Sequence, residues 1–265
     1  MTHKGKNVEM ILSDVKKVIR RFHSADIYWH DRLFQWTPFH QGFWGKVFRH
    51  RAIARIAHVS SGDEYLLDAG CGDKPFKKQF HVKHHIGLEH KETVYRENEA
   101  DLHGDIFDLP VLDNSINTVL CTEVLEHLEY PHQAIDEFHR VLKVGGYLIM
   151  TTPFVYPVHD EYDFFRYTPM GLKFMLENSG FYISKIEPLA GSGLSFALLL
   201  NIYITDIGFF WTKWLYPFGL VFRPLLLLMT ATINLIGGIL EIVIPSRHHK
   251  MSVFSFNYFV LAIKP

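Results

Sequence analysis

The stretch Leu66-Leu67-Asp68-Ala69-Gly70-Cys71-Gly72-Asp73-Lys74-Pro75 decides how this chain is read. Glu64 to Asp68 is a short strand candidate that runs directly into a turn holding two glycines. Glycine lets backbone turn sharply and come close to a ligand. A glycine turn alone is weak evidence, because tight turns need glycine anyway. Its weight comes from the strands around it. His85 to Glu89, Asp101 to Gly104, Asn117 to Cys121, Tyr147 to Thr152, Phe181 to Pro188 and Phe254 to Ile263 read as further strands.

Helix signals separate these strands. Gly45 to Val59 is one helix candidate. Pro131 opens another, carried by Ile135, Phe138, Val141 and Leu142 and expected to close at Gly145-Gly146. Thr168-Pro169 is a cap and first-turn pair for a third helix, ended by Gly180. Strand–helix alternation predicts a mostly parallel α/β sheet with helices on both faces. In such sheets ligands bind beyond the carboxyl ends of the strands. Three acids fall there: Asp68, Glu89 and Asp105. An acid after the second strand suits two ribose hydroxyls. Three acids together favour a nucleoside and would repel a pyrophosphate.

Composition narrows the class. Hydrophobic residues make up 48% and charged residues 21%, which excludes a disordered chain. A net charge of −1 gives no global electrostatic case for nucleic acid. Two cysteines, Cys71 and Cys121, cannot make a disulfide framework and read as reduced core residues. The 17 histidines include the adjacent pairs His84-His85 and His248-His249, which do not face one way on a strand or helix. No metal is expected. No apolar stretch comes after Met1-Thr2-His3-Lys4-Gly5-Lys6, so no secretory signal and a cytoplasmic setting are expected.

This arrangement resembles the class I methyltransferases that use S-adenosylmethionine, over residues 64–188 and the final strand at 254–263. The resemblance implies a Rossmann-like sheet of seven strands, one of them antiparallel. It implies that Asp68, Ala69, Gly70, Cys71 and Gly72 shape the pocket for the amino acid part of S-adenosylmethionine. It implies that Glu89 binds the ribose and that Asp105 and Ile106 flank the adenine. Cys121-Thr122-Glu123-Val124-Leu125-Glu126-His127 resembles the family's segment after strand four, which brings Cys121 and Glu123 to the cofactor. Two positions depart from the family pattern. Lys74 stands where a third glycine is usual, as in a variant resembling methyltransferases of bacterial glycan assembly. Asn117 stands where an acid often precedes strand four.

Asp163 to Thr168 resembles the Asp-x-x-Arg-Tyr-Thr loop of glycan-type methyltransferases. A hydroxyl acceptor is helped by a base. The candidates are His159, oriented by Asp160 or Asp163, and His127; no protein base is the third possibility. Arg166 either binds an anionic substrate group or pairs with Asp163, and Tyr167 belongs to the same catalytic cluster.

Two regions lie outside this body. Val8 to Phe22 has helical apolar spacing with Lys16, Lys17, Arg20 and Arg21, as a surface helix or as a basic amphipathic helix on anionic lipid. Tyr28, Trp29, Phe34, Trp36, Phe39, Phe43 and Trp44 form either a lid or packing. Gly191 to Ile244 holds only four charged residues, Asp206, Lys213, Arg223 and Glu241. This apolar helical insertion separates the last two strands, so it crosses a membrane an even number of times. Two spans would carry Lys213 and Arg223 to the far side, against the positive-inside tendency. Helices lying in the interface are expected, with two spans and a soluble core or dimer interface as alternatives.

The expected organisation is 1–60 N-terminal helices and aromatic lid, 61–190 with 251–265 methyltransferase domain, and 191–250 apolar insertion. The expected activity is O-methylation of a lipid-linked sugar or polysaccharide intermediate at the inner face of a membrane. The alternatives are a quinone- or sterol-like lipid as acceptor, and a non-catalytic binding subunit.

Overall fold

The computed structural model describes residues 33–90, 100–214, 219–243 and 254–265. The expected helix from Val8 to Phe22, Tyr28, Trp29 and the pair His248-His249 lie outside them. Contacts gather the described residues into two compact units. One is Trp44–Leu199 with Ile236–Pro265; the other joins residues before Trp44 to Leu200–Leu235.

The first unit holds the sheet. Its strands are β1 (Ser61–Ala69), β2 (His81–Glu89), β3 (Leu102–His103), β4 (Ile116–Thr122), β5 (Leu142–Pro153), β6 (Tyr182–Pro188) and β7 (Asn257–Ile263). They stand in the order β3-β2-β1-β4-β5-β7-β6. All neighbours from β3 to β5 are parallel, and β7 runs antiparallel to both β5 and β6. This is the expected mostly parallel sheet with one reversed strand. The order turns back between β1 and β4, where crossovers leave a crevice at the carboxyl ends.

Burial on both faces comes from alternation along the strands. Leu67, Ala69, Val119, Cys121, Leu148 and Met150 join one core with Ile135 and Phe138 of α2 (Pro131–Val141) and Leu172 and Leu176 of α3 (Pro169–Asn178). Leu66, Leu120 and Ile149 point the other way and are also fully buried, as is Ile53 of α1 (Phe43–Ile56). Each such side chain contributes about 1.5–3 kcal/mol.

Gly145-Gly146 does not close α2. That helix ends at Val141, where Leu142 turns extended while its N–H still bonds Phe138 O. The glycines instead let β5 loop out against β4: Ile116 pairs Leu142, but Thr118 pairs Tyr147. Gly145 has φ +79, and a Cβ on Gly146 would meet Lys143 O at 2.8 Å. The expected start of α3 holds: Thr168 Oγ1 accepts from Gly171 N at 3.0 Å.

The apolar insertion is two long helices, α4 (Ser192–Trp214) and α5 (Gly219–Val243). In the sheet-bearing unit, Gly193 meets Leu240, and a Cβ on Gly237 would lie 2.5 Å from Ala197 Cβ. Glu241 is buried and both its oxygens accept from Gly191 N, at 3.0 and 3.1 Å, beside the positive N-terminus of α4. In the other unit, Asn201 Nδ2 bonds Asn234 Oδ1 at 3.0 Å. Asn234 Nδ2 donates to Pro38 O and His40 O, tying the aromatic stretch to α5. Within that stretch Phe34 packs edge-on against Phe39, while Trp36 stays half exposed.

Candidate functional site

The turn after β1 is built from three residues in the left-handed region: Gly70 at φ +72, Gly72 at +49 and Lys74 at +48. Gly70 N and Cys71 N both donate to Leu88 O, which holds the turn against β2. Gly72 N donates to Glu89 Oε2 at 3.0 Å. The acid ending β2 is therefore joined directly to the glycine turn. Lys74 takes the backbone conformation that a glycine would adopt freely, at a cost of about 1–2 kcal/mol. Its buried ammonium compensates by meeting Asp101 Oδ2 at 2.5 Å, the oxygen that also accepts Gly87 N at 2.7 Å. The Lys74 stem fills the space above Gly87, where a Cβ would meet Lys74 Cε at 2.2 Å. The missing third glycine is thus replaced by a side-chain strut.

Asp68 is 2% exposed and meets His85 Nε2 at 3.0 Å; burial raises its pKa. The sequence pattern does not reveal His85 as the partner, since adjacency to His84 hides which neighbour points inward. Burial also raises the Cys71 thiol to about 12, and Cys121 is wholly buried; both are free thiols. Ala69 is fully buried, and Ile106 packs in the main core. Asp105 is exposed, and its Oδ1 closes its own turn by accepting Phe107 N at 2.9 Å. Asn117 braces the sheet, its Oδ1 accepting from Tyr65 N and Lys143 Nζ.

Beyond β4, Glu123 takes φ +55. Its carboxylate accepts from Arg49 Nη1 at 2.7 Å, Thr151 Oγ1 at 2.8 Å and Asn257 Nδ2 at 2.7 and 2.6 Å. It clamps α1, β5 and β7 to the end of β4. Val124 covers Gly70, since a Cβ there would lie 2.4 Å from Val124 Cγ2. The two loops flanking the crevice therefore meet side chain to backbone.

The loop after β5 folds onto this segment, with Phe164 N and Phe165 N both donating to Glu126 O. It brings His159 against His127, ring centroids 5.1 Å apart. His127 Nδ1 lies 2.8 Å from Tyr162 O, and His159 Nδ1 lies 2.9 Å from Asp163 Oδ2. Arg166 holds the Asp163 carboxyl down at about 2. Of the two acids expected to orient His159, Asp163 is in place; Asp160 Oδ1 instead accepts Glu161 N at 2.6 Å.

Two side chains of this cluster are held by the loops themselves. Of the two alternatives for Arg166, the pairing with Asp163 is the one formed here. Its N–H donors go to Asp163, Tyr156 O, Pro157 O and Phe165 O, so the ion pair fixes the loop. Tyr167 is buried with its hydroxyl donating to Leu125 O at 2.9 Å, and burial raises its pKa. It ties two loops together. The residue that sequence reasoning overlooked is Glu126. It is fully buried, neither oxygen has a hydrogen-bond partner among the described residues, and burial first, then the charge of Glu123, pushes its pKa up to about 9. Only its place beside His127 in the sequence pointed to it.

Residues 67–150 match the protein family described as "Methyltransferase domain". A candidate S-adenosylmethionine-dependent methyltransferase of Mycolicibacterium smegmatis is 31% identical over 122 residues, covering 43% of this chain and 46% of that protein. An uncharacterized protein of Methanocaldococcus jannaschii is 36% identical over 107 residues, covering 39% of this chain and 47% of the other. The chain spans about half the length of the curated relatives it matches. Among solved structures, a candidate sarcosine dimethylglycine methyltransferase from Galdieria sulphuraria superposes with TM-score 0.51 at 14% identity, covering 82% of this chain and 83% of that one. The fold is the Rossmann-like fold of class I methyltransferases.

Proposed function

We propose that the chain is an S-adenosylmethionine-dependent methyltransferase that methylates a hydroxyl of a lipid-linked sugar or polysaccharide intermediate at the inner face of a membrane. The observation that carries the cofactor reading is the bond from Gly72 N to Glu89 Oε2, which couples the ribose-type acid to the glycine turn at the sheet's switch point. The residues fit an adenosyl group. A Cβ on Gly72 would have nothing within 4 Å, so backbone there faces open space. Glu89 and Asp105 sit at solvent-reachable strand ends. Gly70 and Gly72 would allow close approach, Glu89 would accept from ribose hydroxyls, and Asp105 would lie at the adenine end. When bound, the cofactor supplies an electrophilic methyl group on a sulfonium.

The remaining chemistry falls to the acceptor side. A carbonyl can only accept, so Tyr162 O fixes the His127 proton on Nδ1 and leaves a lone pair on Nε2. Asp163 does the same for His159. The Nε2 lone pair of the exposed His159 is then the one able to receive a hydroxyl proton, while that of His127 faces Glu126. Holding the acceptor in line supplies much of the rate.

The membrane reading is supported by Phe222–Val243, with hydropathy 2.0 and only 22% of its most apolar window buried. Leu225, Leu228, Leu235 and Ile239 are about half exposed or more. Soluble monomers rarely leave such a face in water. A monotopic seat for α4 and α5 covers it and suits a lipid-borne acceptor.

Calorimetric titration of the detergent-purified chain with S-adenosylmethionine and its demethylated product is the test. Micromolar binding lost in Glu89→Ala is expected; no binding by folded protein overturns the assignment. Incubation with methyl-labelled cofactor and lipid extracts should then place label in an acid-labile, lipid-linked glycan. Label in a quinone or sterol fraction overturns the acceptor.

A further inference from the structure

One carboxylate and two imidazoles converge beyond β4, and no hydrogen bond links them. The Glu126 side chain is 0% exposed, and among the described residues both its oxygens are without a hydrogen-bond partner. Buried acceptors are nearly always paired, and an isolated buried charge costs several kcal/mol. His127 Nε2 stands 3.7 Å from Glu126 Oε1. That nitrogen carries a lone pair, because the ring proton lies on Nδ1 facing Tyr162 O. At 3.7 Å the Glu126 oxygen and the imidazole nitrogen face each other beyond hydrogen-bond reach. His159, held through Nδ1 by Asp163, presents its own Nε2 lone pair. One donor atom from each of Glu126, His127 and His159 lies within 4.8 Å of the other two.

We propose that Glu126, His127 and His159 bind a divalent transition-metal ion. Two imidazole nitrogens and one carboxylate form the donor set of zinc-class sites, and three protein ligands leave a position open. Magnesium and calcium prefer all-oxygen shells. Ligands about 2.0–2.2 Å from one ion stand roughly 3–4 Å apart, so small side-chain shifts close the group. The supports behind the ligands also fit. Metal-bound histidines almost always donate their other ring N–H to a carbonyl or carboxylate, as His127 and His159 do here. The sequence pattern predicts no metal from its adjacent histidine pairs, and this set escapes it, since Glu126 and His127 are adjacent while His159 belongs to the next loop. No local spacing announces the set.

Ion binding stands on this geometry alone; its role rests on the methyltransferase reading. There the open position takes the acceptor's oxygen. The O–H bond breaks, the proton passes to water, and the oxygen stays bound as an anion, because coordination lowers the hydroxyl pKa. The two imidazoles then hold the ion, and neither needs to keep the proton.

The test uses the full chain, stripped with a chelator. Zinc is titrated calorimetrically, and cobalt(II) serves as the optical probe. The expected result is one tight site per chain, with cobalt bands of a four- or five-coordinate ion. Glu126→Gln and His159→Gln should each weaken zinc at least about tenfold and remove the bands. His81→Gln, an exposed histidine on β2, should leave both unchanged. Titration with S-adenosylmethionine on the same samples reports folding, because Glu89 lies outside the cluster. Cofactor binding without a tight zinc site overturns the ion, as does unchanged zinc affinity in folded Glu126→Gln. Zinc binding without cofactor binding supports the ion and overturns only the role assigned to it.

Discussion

Gly70→Ala should destabilise the chain by about 2–5 kcal/mol, for two separable reasons. Alanine at φ +72 costs about 1–2 kcal/mol. Its Cβ would also lie 2.4 Å from Val124 Cγ2 and 3.1 Å from Cγ1, more than an ångström inside contact for the nearer. Overpacking of that size costs about 1–3 kcal/mol. Val124 cannot swing aside cheaply, since it is β-branched and packs against the main core. Val124→Ala alone removes two half-buried methyl groups and should cost about 1 kcal/mol. In the double variant the clash disappears, because Val124 Cβ lies 3.4 Å from the new atom, an ordinary contact. The double variant should therefore be less damaged than the sum of the singles, by about 1–3 kcal/mol. Urea denaturation monitored by far-ultraviolet circular dichroism on all four proteins closes the cycle. Additivity within about 0.5 kcal/mol would show that the turn and the segment after β4 are not in contact, and the account of the crevice would fall.

Glu123→Ala should cost about 2–4 kcal/mol by leaving Thr151 and Asn257 without their acceptor, read as a lower urea midpoint; an unchanged midpoint refutes the clamp. Tyr167→Phe should cost about 1 kcal/mol in thermal unfolding, through loss of the bond to Leu125 O. Burial opposes ionisation of Asp101, but Lys74 and Gly87 N outweigh it and hold its pKa below the usual range. A depressed carboxylate stabilises above the unfolded pKa near 3.9 and loses this as pH falls through the folded value. Wild type should therefore exceed Asp101→Asn in stability at pH 6, with the gap closing below about pH 4. A gap that stays constant down to pH 2 would exclude the Lys74–Asp101 strut.

Much of the fold was legible because strand residues buried on both faces carry a continuous apolar signal. Leu66-Leu67, Val119-Leu120 and Leu148-Ile149 are such pairs, and all six residues are fully buried. Their lengths were less legible. β1 begins at Ser61, because ladder bonds recruit polar residues that no hydropathy pattern marks, and β5 at Leu142, an apolar residue whose spacing also fits the preceding helix. Gly145-Gly146 misled for a related reason: a glycine pair near a helix end serves equally as a cap or as a strand bulge. At the site, Glu89 and the glycine turn were readable from their spacing after consecutive strands. The Arg166–Asp163 pair was one of two alternatives the motif left open, and the Tyr167 bond to Leu125 O was not legible, since a motif gives residue types and not the partners that absorb their donors.

By itself the sequence determined the α/β alternation, the glycine turn with its acids at the strand ends, and the apolar segment before the last strand. These depend on local backbone freedom and on the periodicity of burial, both written in neighbouring residues. The tertiary structure decided that Lys74 replaces a glycine by reaching Asp101, and that Glu123 clamps three elements. It also decided that Glu126 lies buried without a hydrogen bond beside two lone-pair nitrogens. Each of these joins groups from separate loops. Their chemistry is fixed by distance and desolvation, which arise only when the sheet brings those loops to one edge.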